Sequence, residues 1–343
     1  MDLPSTRNVK ILPAEDPLCA AILQEDVQEL EHLLLQGAPV NYKVPRTSNT
    51  PLMIAVGPSP THTLMVQHLL DHQARVDVGE SFHGITPLMA ACNVGNYKLA
   101  ELLLRRGAKV NAQSADGKTA LIRMARKGNL NIVKLLLQWG AELHVFDEQA
   151  KNALMYACSE NQIHVVKYLL QPPATEANVG VNEYKVDTPL WHACAAGHAD
   201  IVRLLVEEGN AKIEYRLDGT IYSTTPLMEA CEWGHLAVVQ ILLEHGASVT
   251  SRTGRKALLL AQRSGYQEVV QLMEFWQKRL VALESLLEPE GPLAAAMEND
   301  TTAAAGPVPV SLIPVILSLV GKRPDLTHRI LNLRVDILLS CGV

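Results

Sequence analysis

Apolar residues recur along the chain in short runs that are typical of brief helices. The clearest are runs of leucine at residues 102–104, 135–137 and 242–243, with another at 33–35 near the N-terminus. Glycine and alanine follow each run within a few residues, as at Gly107. Because glycine readily takes the left-handed conformation that ends a helix, the pattern predicts a helix that closes after every leucine run.

A second motif lies before the later leucine runs and occurs seven times. In its fullest form it reads Thr-Pro-Leu, and in six copies an alanine lies five residues after its first position. Threonine caps helix N-termini well, and proline suits the first helical position, where its missing N–H is not needed. Each copy therefore predicts the start of another helix. The copies begin at Thr50, Thr86, Thr119, Asn152, Thr188, Thr225 and Lys256, separated by 36, 33, 33, 36, 37 and 31 residues.

A residue suited to positive φ separates the two predicted helices of each later repeat. Glycine has no Cβ to clash at such a position, and asparagine is the next best residue. Self-similarity at this spacing indicates an array of helix pairs rather than a single globular core. The separating residues are Gly95, Gly128, Asn161, Gly197, Gly234 and Gly265.

This succession of motifs resembles the ankyrin repeat, and residues 225–249 match its pattern almost throughout, including Gly234 and His235. The resemblance covers about residues 14–283. It implies an all-α fold, a solenoid of stacked helix-turn-helix units joined by β-hairpin-like loops. Eight repeats are expected, at 14–45, 46–81, 82–114, 115–147, 148–183, 184–220, 221–251 and 252–283.

The two ends of the chain lie outside the predicted array. Residues 1–13 are expected to form an N-terminal extension, and residues 284–309, which hold proline, glycine and an alanine run, a flexible linker. Residues 310–343 predict a short helical segment that could dock another protein, fold back on the solenoid, or belong to a truncated domain. The segment lacks the Leu-x-x-x-Cys and Leu-Pro pattern of the C-terminal box with which several ankyrin proteins recruit a ubiquitin-ligase core.

The chain departs from the family pattern at the position after Thr-Pro-Leu, where ankyrin repeats usually have histidine. Apolar residues, four of them methionine, stand there instead, so we expect apolar packing between neighbouring repeats. The residues at this seam position are Met53, Met89, Ile122, Met155, Trp191, Met228 and Leu259.

Four cysteines raise the question of a metal or redox site. All four occupy the same helix position, six residues after the start of the motif, in the third, fifth, sixth and seventh repeats. Neighbouring helices lie ~8–10 Å apart, which is too far for a disulfide or a shared zinc ion. We therefore predict buried, reduced core residues. The four are Cys92, Cys158, Cys194 and Cys231.

Other features of the chain also argue against an enzyme. No hydrolase, metalloprotease or nucleotide-loop motif occurs, so no catalytic residue, cofactor or metal is predicted. The net charge of −6 disfavours nucleic acid. No apolar run approaches the roughly 18 residues of a membrane span, and no signal peptide is evident. We expect a monomeric solenoid in the cytoplasm, the nucleus or both.

The predicted function is that of a protein-interaction scaffold or adaptor that binds its partner on the concave ankyrin surface. Alternatives are a regulatory or inhibitory subunit of an enzyme or transcription factor, and a ubiquitin-ligase substrate adaptor. By resemblance to the family, partner contacts come from the hairpin tips and from the variable residue pair before the mid-repeat glycine. The partner-binding residues expected on this basis are Phe82, His83, Asn93, Arg126, Lys127, Tyr184, Tyr222, Glu232 and Trp233.

Two asparagines are candidates for modification. Asn41 and Asn111 each follow a Gly-Ala-x-Val sequence, with a leucine eight residues earlier. This arrangement resembles the site of asparagine hydroxylation in ankyrin proteins.

Overall fold

The computed structural model describes residues 16–44, 49–79, 83–171, 188–209, 211–214 and 224–287. The chain divides into two compact units, Met1–Asn178 and Val179–Val343. The described residues form 16 helices and no strand. None of these helices combines the length and the apolar character that crossing a membrane requires.

The first unit is a stack of five helix pairs. The first helices of the pairs contact one another in sequence order, and so do the second helices, so the unit has two helical layers. The helices are α1 (Pro17–Leu23), α2 (Val27–Leu35), α3 (Pro51–Ile54), α4 (Pro60–Asp71), α5 (Pro87–Asn93), α6 (Tyr97–Arg105), α7 (Ala120–Lys127), α8 (Leu130–Gln138), α9 (Ala153–Ser159) and α10 (Ile163–Leu169).

The second unit repeats the same two-layer arrangement with three helix pairs. Its last helix runs to Leu287, so the first four residues of the predicted linker, 284–287, are helical. Their sequence, Glu-Ser-Leu-Leu, holds no glycine or proline to end the helix. The helices are α11 (Pro189–Ala196), α12 (Ala199–Glu207), α13 (Pro226–Glu232), α14 (Leu236–Glu244), α15 (Arg252–Ser264) and α16 (Gln267–Leu287).

The predicted helix starts are confirmed for six of the seven motif copies. In each, the Thr or Asn side chain accepts a hydrogen bond from the amide three residues later, as between Thr119 and Ile122 at 3.2 Å. The start predicted at Lys256 is wrong, because α15 begins at Arg252. Lysine has no acceptor for a cap, whereas the Ser251 hydroxyl accepts from the Gly254 amide at 3.1 Å.

The separating residues take the backbone conformation predicted for them. Gly128 and Gly197 both have φ of 77°, and Asn161, which replaces glycine in the fifth repeat, has φ of 57°. A side chain is tolerated there because asparagine is among the few residues that visit the left-handed region.

The core lies between the two helical layers and between successive repeats. The leucine runs supply much of it, and Leu103, Leu136 and Leu242 are fully buried. The predicted core cysteines are confirmed, since Cys92, Cys158, Cys194 and Cys231 are buried and none forms a disulfide. Burial raises the pKa of the thiols of Cys92 and Cys231 to about 12, and that of Cys158 higher still.

The seam position shows what each repeat contributes to its neighbour. Met89 and Met228 are each 1% exposed, and each lies in a repeat on which another repeat of the same unit stacks. Leu259, the same position in the last described repeat, is 62% exposed. Met53 and Trp191 are partly buried, so a covering repeat accounts for much of the burial at this position but not for all of it.

Polar bonds between repeats supplement the apolar seam. The Asn41 side chain donates to the Gln73 carbonyl and accepts from the Arg75 amide, both at 2.8 Å. Asn111 makes the same pair of bonds one step along, to the Gly140 carbonyl at 3.2 Å and from the Glu142 amide at 2.9 Å. These side-chain amides tie the end of one repeat to the segment that follows the second helix of the next repeat.

Replacing Leu103 by Ala should destabilise the first unit by about 2–5 kcal/mol, because it opens a cavity in a fully buried layer. Urea denaturation followed by circular dichroism measures the change. Leu35→Ala is the matched control, since Leu35 is exposed, and it should change the unfolding free energy by no more than about 0.5 kcal/mol. Equal effects of the two substitutions would contradict this packing.

Candidate protein-binding surface

A network of charged and hydroxyl side chains joins the fourth and fifth repeats. We call it the Tyr156 cluster. Its residues come from two successive hairpin loops and from the first helices that follow them, α7 and α9. All of them lie in the first unit. The cluster consists of Ser114, Asp116, Lys118, Arg123, Arg126, Asp147, Lys151 and Tyr156.

The backbone of the two hairpins sets the positions of these side chains. Within each hairpin one residue donates its amide to a carbonyl four residues later, as from Ser114 to Lys118 at 3.1 Å. The two hairpins also bond to each other, because the Glu148 amide donates to the Asp116 carbonyl at 3.3 Å. The loops are thus hairpin-like, as predicted, and hold a fixed register from repeat to repeat.

Asp147 lies at the centre of the cluster with its side chain fully buried. One carboxylate oxygen accepts from the amides of Gln149 and Lys151, both at 2.9 Å. The other accepts from the Tyr156 hydroxyl at 2.7 Å. Burial, together with this bond to a carboxylate, raises the pKa of Tyr156 to about 12, so the phenol stays a neutral donor at physiological pH.

Lys118 links the two hairpins. Its ammonium lies 2.9 Å from a carboxylate oxygen of Asp116 and 3.3 Å from one of Asp147. Burial alone would lower the pKa of Lys118, but the hydrogen bond to Asp116 and the neighbouring negative groups raise it. Lys118 therefore carries its charge in the folded protein and is neutralised by the two aspartates.

Asp116 receives the remaining strong bonds of the cluster. Its second oxygen accepts from the Arg123 guanidinium at 2.9 Å and from the Ser114 hydroxyl at 2.5 Å. Partial burial acts to raise the pKa of Asp116, but the hydrogen bonds from Ser114 and Lys118 and the charge of Arg123 lower it to about 2.

Three cations surround the ring of Tyr156. The ammonium groups of Lys118 and Lys151 each lie 5.6 Å from the ring centroid, and the guanidinium carbon of Arg126 lies 5.8 Å from it. Cations within about 6 Å of an aromatic ring are attracted by its negative faces. The ring thus holds several like charges close together on one side of the first-helix layer.

The variable pairs predicted to contact a partner are connected to one another. The Lys127 ammonium donates to the Asn93 carbonyl at 3.0 Å and also to the Asn93 side chain. Arg126 forms an ion pair with Glu160 of the next repeat at 2.9 Å. Each bond joins the residue seven positions after the start of one motif copy to the residue eight positions after the start of the next copy. All four side chains remain accessible.

The other predicted partner-binding residues are not part of this group. His83 is exposed, while Phe82, Tyr184 and Tyr222 lie outside the described residues. In the second unit Glu232 is exposed, and Trp233 caps the end of α13 with 58% of its surface exposed.

Sequence reasoning missed Asp147, Lys151 and Tyr156. The available signal was the repeat register, since Tyr156 stands at the position of Arg123 and Lys151 at that of Lys118. Three basic residues and one aromatic residue at matching positions of adjacent repeats must face the same side of the stack.

A second polar group tests the prediction that the chain is not an enzyme. Ser59, His62 and Glu25 meet where the second repeat contacts the first. A catalytic relay needs the hydroxyl and the carboxylate on different imidazole nitrogens, but here Nδ1 of His62 faces both Ser59 and, at 3.9 Å, Glu25. Ser59 also caps α4 and bonds directly to Glu25 at 3.2 Å. The group is a helix cap rather than a relay.

Metal chemistry finds no support in the part of the chain that the structure describes. No three His, Cys, Asp or Glu side chains there come together in a way that could hold an ion.

Comparison with known proteins decides the family. The family model described as ankyrin repeats (3 copies) matches residues 18–114, 107–182, 175–253 and 223–275, which together span most of the chain. The protein belongs to the ankyrin repeat family. Ankyrin repeats are in general protein–protein interaction modules, and their fold is typically a non-catalytic binding scaffold.

One solved structure illustrates the likeness of this ankyrin protein to others. The human ASB11 ankyrin repeat domain is 25% identical to it, with a TM-score of 0.55. The match covers 66% of this chain and 98% of that domain. No match was found among curated protein sequences.

The low pKa of Asp116 makes a prediction about acid stability. Because its folded pKa of about 2 lies below the ordinary 3.8, its contribution to stability is complete above about pH 4 and is lost as pH falls towards 2. Asp116→Asn should therefore be less stable than wild type at pH 7, and the difference should shrink between pH 4 and pH 2. Urea denaturation across this pH range measures it; a difference that stays constant with pH would contradict the assignment.

Proposed function

We propose that the protein is an interaction scaffold or adaptor that binds a partner protein through its first-helix layer and the hairpin loops beside it. This surface corresponds to the concave face of an ankyrin solenoid. The observation that carries the proposal is the row formed by Asn93, Lys127, Arg126 and Glu160. These side chains are accessible, whereas the rest of the same helices is largely buried.

The row is suited to binding because it is held in place before any partner arrives. The bonds from Lys127 to Asn93 and from Arg126 to Glu160 cross repeat boundaries. Side chains fixed in this way lose less conformational freedom on association, which favours affinity. Repeat proteins present extended surfaces of this kind.

Trp233 provides a second contact point, in the second unit. A large aromatic side chain that is more than half exposed is unusual on a surface that only meets water, and tryptophan dominates the energetic centres of interfaces. It stands in the same variable pair as Glu232, the equivalent of Arg126 and Lys127 in the fourth repeat.

The alternatives, a regulatory subunit or a ubiquitin-ligase substrate adaptor, would use the same surface for the partner or substrate. The segment 310–343, through which a ligase core would be recruited, lies outside the described residues. We place the protein inside the cell, in the cytoplasm, the nucleus or both, as part of this proposal. Its support is that the five described cysteines, all buried, form no disulfide.

The proposal is tested by identifying partners and then disrupting the surface. Proximity labelling in cells, followed by mass spectrometry, supplies candidate partners for binding measurements with purified full-length protein. Arg126→Ala and Trp233→Ala together should weaken binding of an authentic partner by about 10-fold or more, since each removes a large contact side chain.

Controls for this experiment lie on the second-helix layer. Asn131→Ala in α8 and Gln240→Ala in α14 change exposed residues of the same two units and should leave binding within about 2-fold of wild type. If every partner binds the Arg126/Trp233 variant as tightly as wild type, the proposed surface is wrong.

We also propose Asn41 and Asn111 as sites of asparagine hydroxylation. Support comes from the sequence resemblance and from their matching geometry, since both side chains join a repeat to its successor through two backbone bonds. Peptide mass spectrometry of protein from cells under normal oxygen should show a fraction of each residue 16 Da heavier, the mass of one added oxygen. Asn96, which also bonds across a repeat boundary but lacks the sequence pattern, should remain unmodified. Finding only unmodified Asn41 and Asn111 would count against the proposal.

A further inference from the structure

We propose that two accessible cations of the Tyr156 cluster, Arg126 and Lys151, together with Lys127, which follows Arg126 in the sequence, form a site for acidic side chains of a partner protein. The inference rests on the proposed function and specifies the chemistry of the segment that the first unit would bind. The site takes carboxylates of aspartate or glutamate in an extended stretch of the partner.

The first step is the distribution of the negative groups. Asp147 is completely buried and its bonds go to Lys118, Tyr156 and two backbone amides. Asp116 is occupied by Lys118, Arg123 and Ser114. The two aspartates therefore neutralise the two inner cations, Lys118 and Arg123. They do not neutralise the outer cations, Lys127, Arg126 and Lys151.

The second step concerns the outer cations. Within the described residues, no carboxylate lies within 4 Å of the ammonium groups of Lys127 and Lys151. The contacts of Lys127 are with Asn93, and Lys151 stands beside the ring of Tyr156. Each ammonium can donate three hydrogen bonds, so both retain donors for a ligand.

The third step is that like charges are held together here. Lys118, Lys151 and Arg126 all lie within 5.8 Å of one ring centroid. Lys118 is paired with Asp116 and Asp147, and Arg126 with Glu160, whereas Lys151 has no carboxylate within 4 Å among the described residues. A carboxylate placed among the outer cations would relieve their mutual repulsion and gain charge-assisted hydrogen bonds.

The charge of the surrounding region supports the same ligand. Residues 82–147 hold nine lysines and arginines against four aspartates and glutamates, a net charge of +5 in a chain whose net charge is −6. Such a local excess steers an acidic partner towards this part of the molecule and sets its register.

An acidic peptide fits better than a nucleic acid. Asp116 is 45% exposed and Glu160 is similarly accessible, so two negative groups stand among the cations. The continuous row of phosphates in a nucleic acid would be repelled by the carboxylates of both Asp116 and Glu160. A peptide can place its carboxylates beside the cations alone. A carboxylate of the peptide can also replace Glu160 as the ion-pair partner of Arg126.

The test uses the full-length protein and a fluorescein-labelled octaglutamate peptide, with affinity measured by fluorescence anisotropy at low salt. Lys127→Gln with Lys151→Gln should weaken binding by about 10-fold, because both unshared ammonium groups are lost. The matched control, Lys134→Gln with Lys167→Gln, removes the same charge from the exposed second-helix layer and should weaken binding by no more than about 2-fold, the effect of net charge alone.

A third variant gives a gain that a poorly folded protein would not show. Glu160→Gln removes the carboxylate that occupies Arg126, so the affinity for octaglutamate should rise by about 3-fold. The circular dichroism spectrum and the thermal midpoint of each variant accompany the binding data.

Three results would overturn the inference. The first is an equal loss in the two lysine pairs, which would mean attraction by net charge alone. The second is no gain in Glu160→Gln. The third is binding of a 20-nucleotide single-stranded RNA more tightly than octaglutamate, if that binding is lost in Lys127→Gln with Lys151→Gln, since the surface would then bind nucleic acid.

A cellular partner can separate this inference from the proposed function. If the partner still binds Lys127→Gln with Lys151→Gln but no longer binds Arg126→Ala with Trp233→Ala, the proposed function stands and only the acidic site is wrong.

Discussion

Each repeat of this protein buries its apolar face only because another repeat stacks on it. The contrast between the enclosed Met89 and Met228 and the exposed Leu259, at equivalent positions, is what that dependence predicts. A single pair of helices as short as α9 and α10 could not bury enough apolar surface to fold alone. The caps, the positive-φ residues and the polar cross-links all serve to bring neighbouring repeats into the register that this packing requires.

Much of the fold could be predicted because its determinants are local. A Thr or Asn cap acts on an amide three residues away, and a residue such as Asn161 ends a helix through its own backbone angles. Such signals are readable in one repeat and are reinforced by their recurrence. The helix start was predicted wrongly at Lys256 because the recurrence of the motif was given more weight than the chemistry of the cap. The residue that caps the helix, Ser251, lies five positions before Lys256.

The candidate site was harder to predict because its contacts join residues of different repeats. Arg126 and Glu160 are 34 positions apart, as are Asn93 and Lys127. Predicting that each pair meets requires the register of the stack as well as the residue types. The variable pairs were identified, because the family pattern marks their positions. The role of Asp147 was not, because the equivalent residue one repeat earlier is Ser114, so no recurring motif draws attention to it.

Four of the five buried thiols in the described part of the chain offer a way to follow how the array opens. A thiol reacts as its thiolate, and burial raises the pKa of Cys92, Cys158 and Cys231 far above physiological pH. These thiols are therefore unreactive while their repeats remain stacked. Because Cys92, Cys158, Cys194 and Cys231 occupy one equivalent position in four different repeats, the rate at which each is alkylated reports the local opening of its own repeat. The opening of each of these repeats can therefore be measured separately, without any added label, from the alkylation rate of its own cysteine.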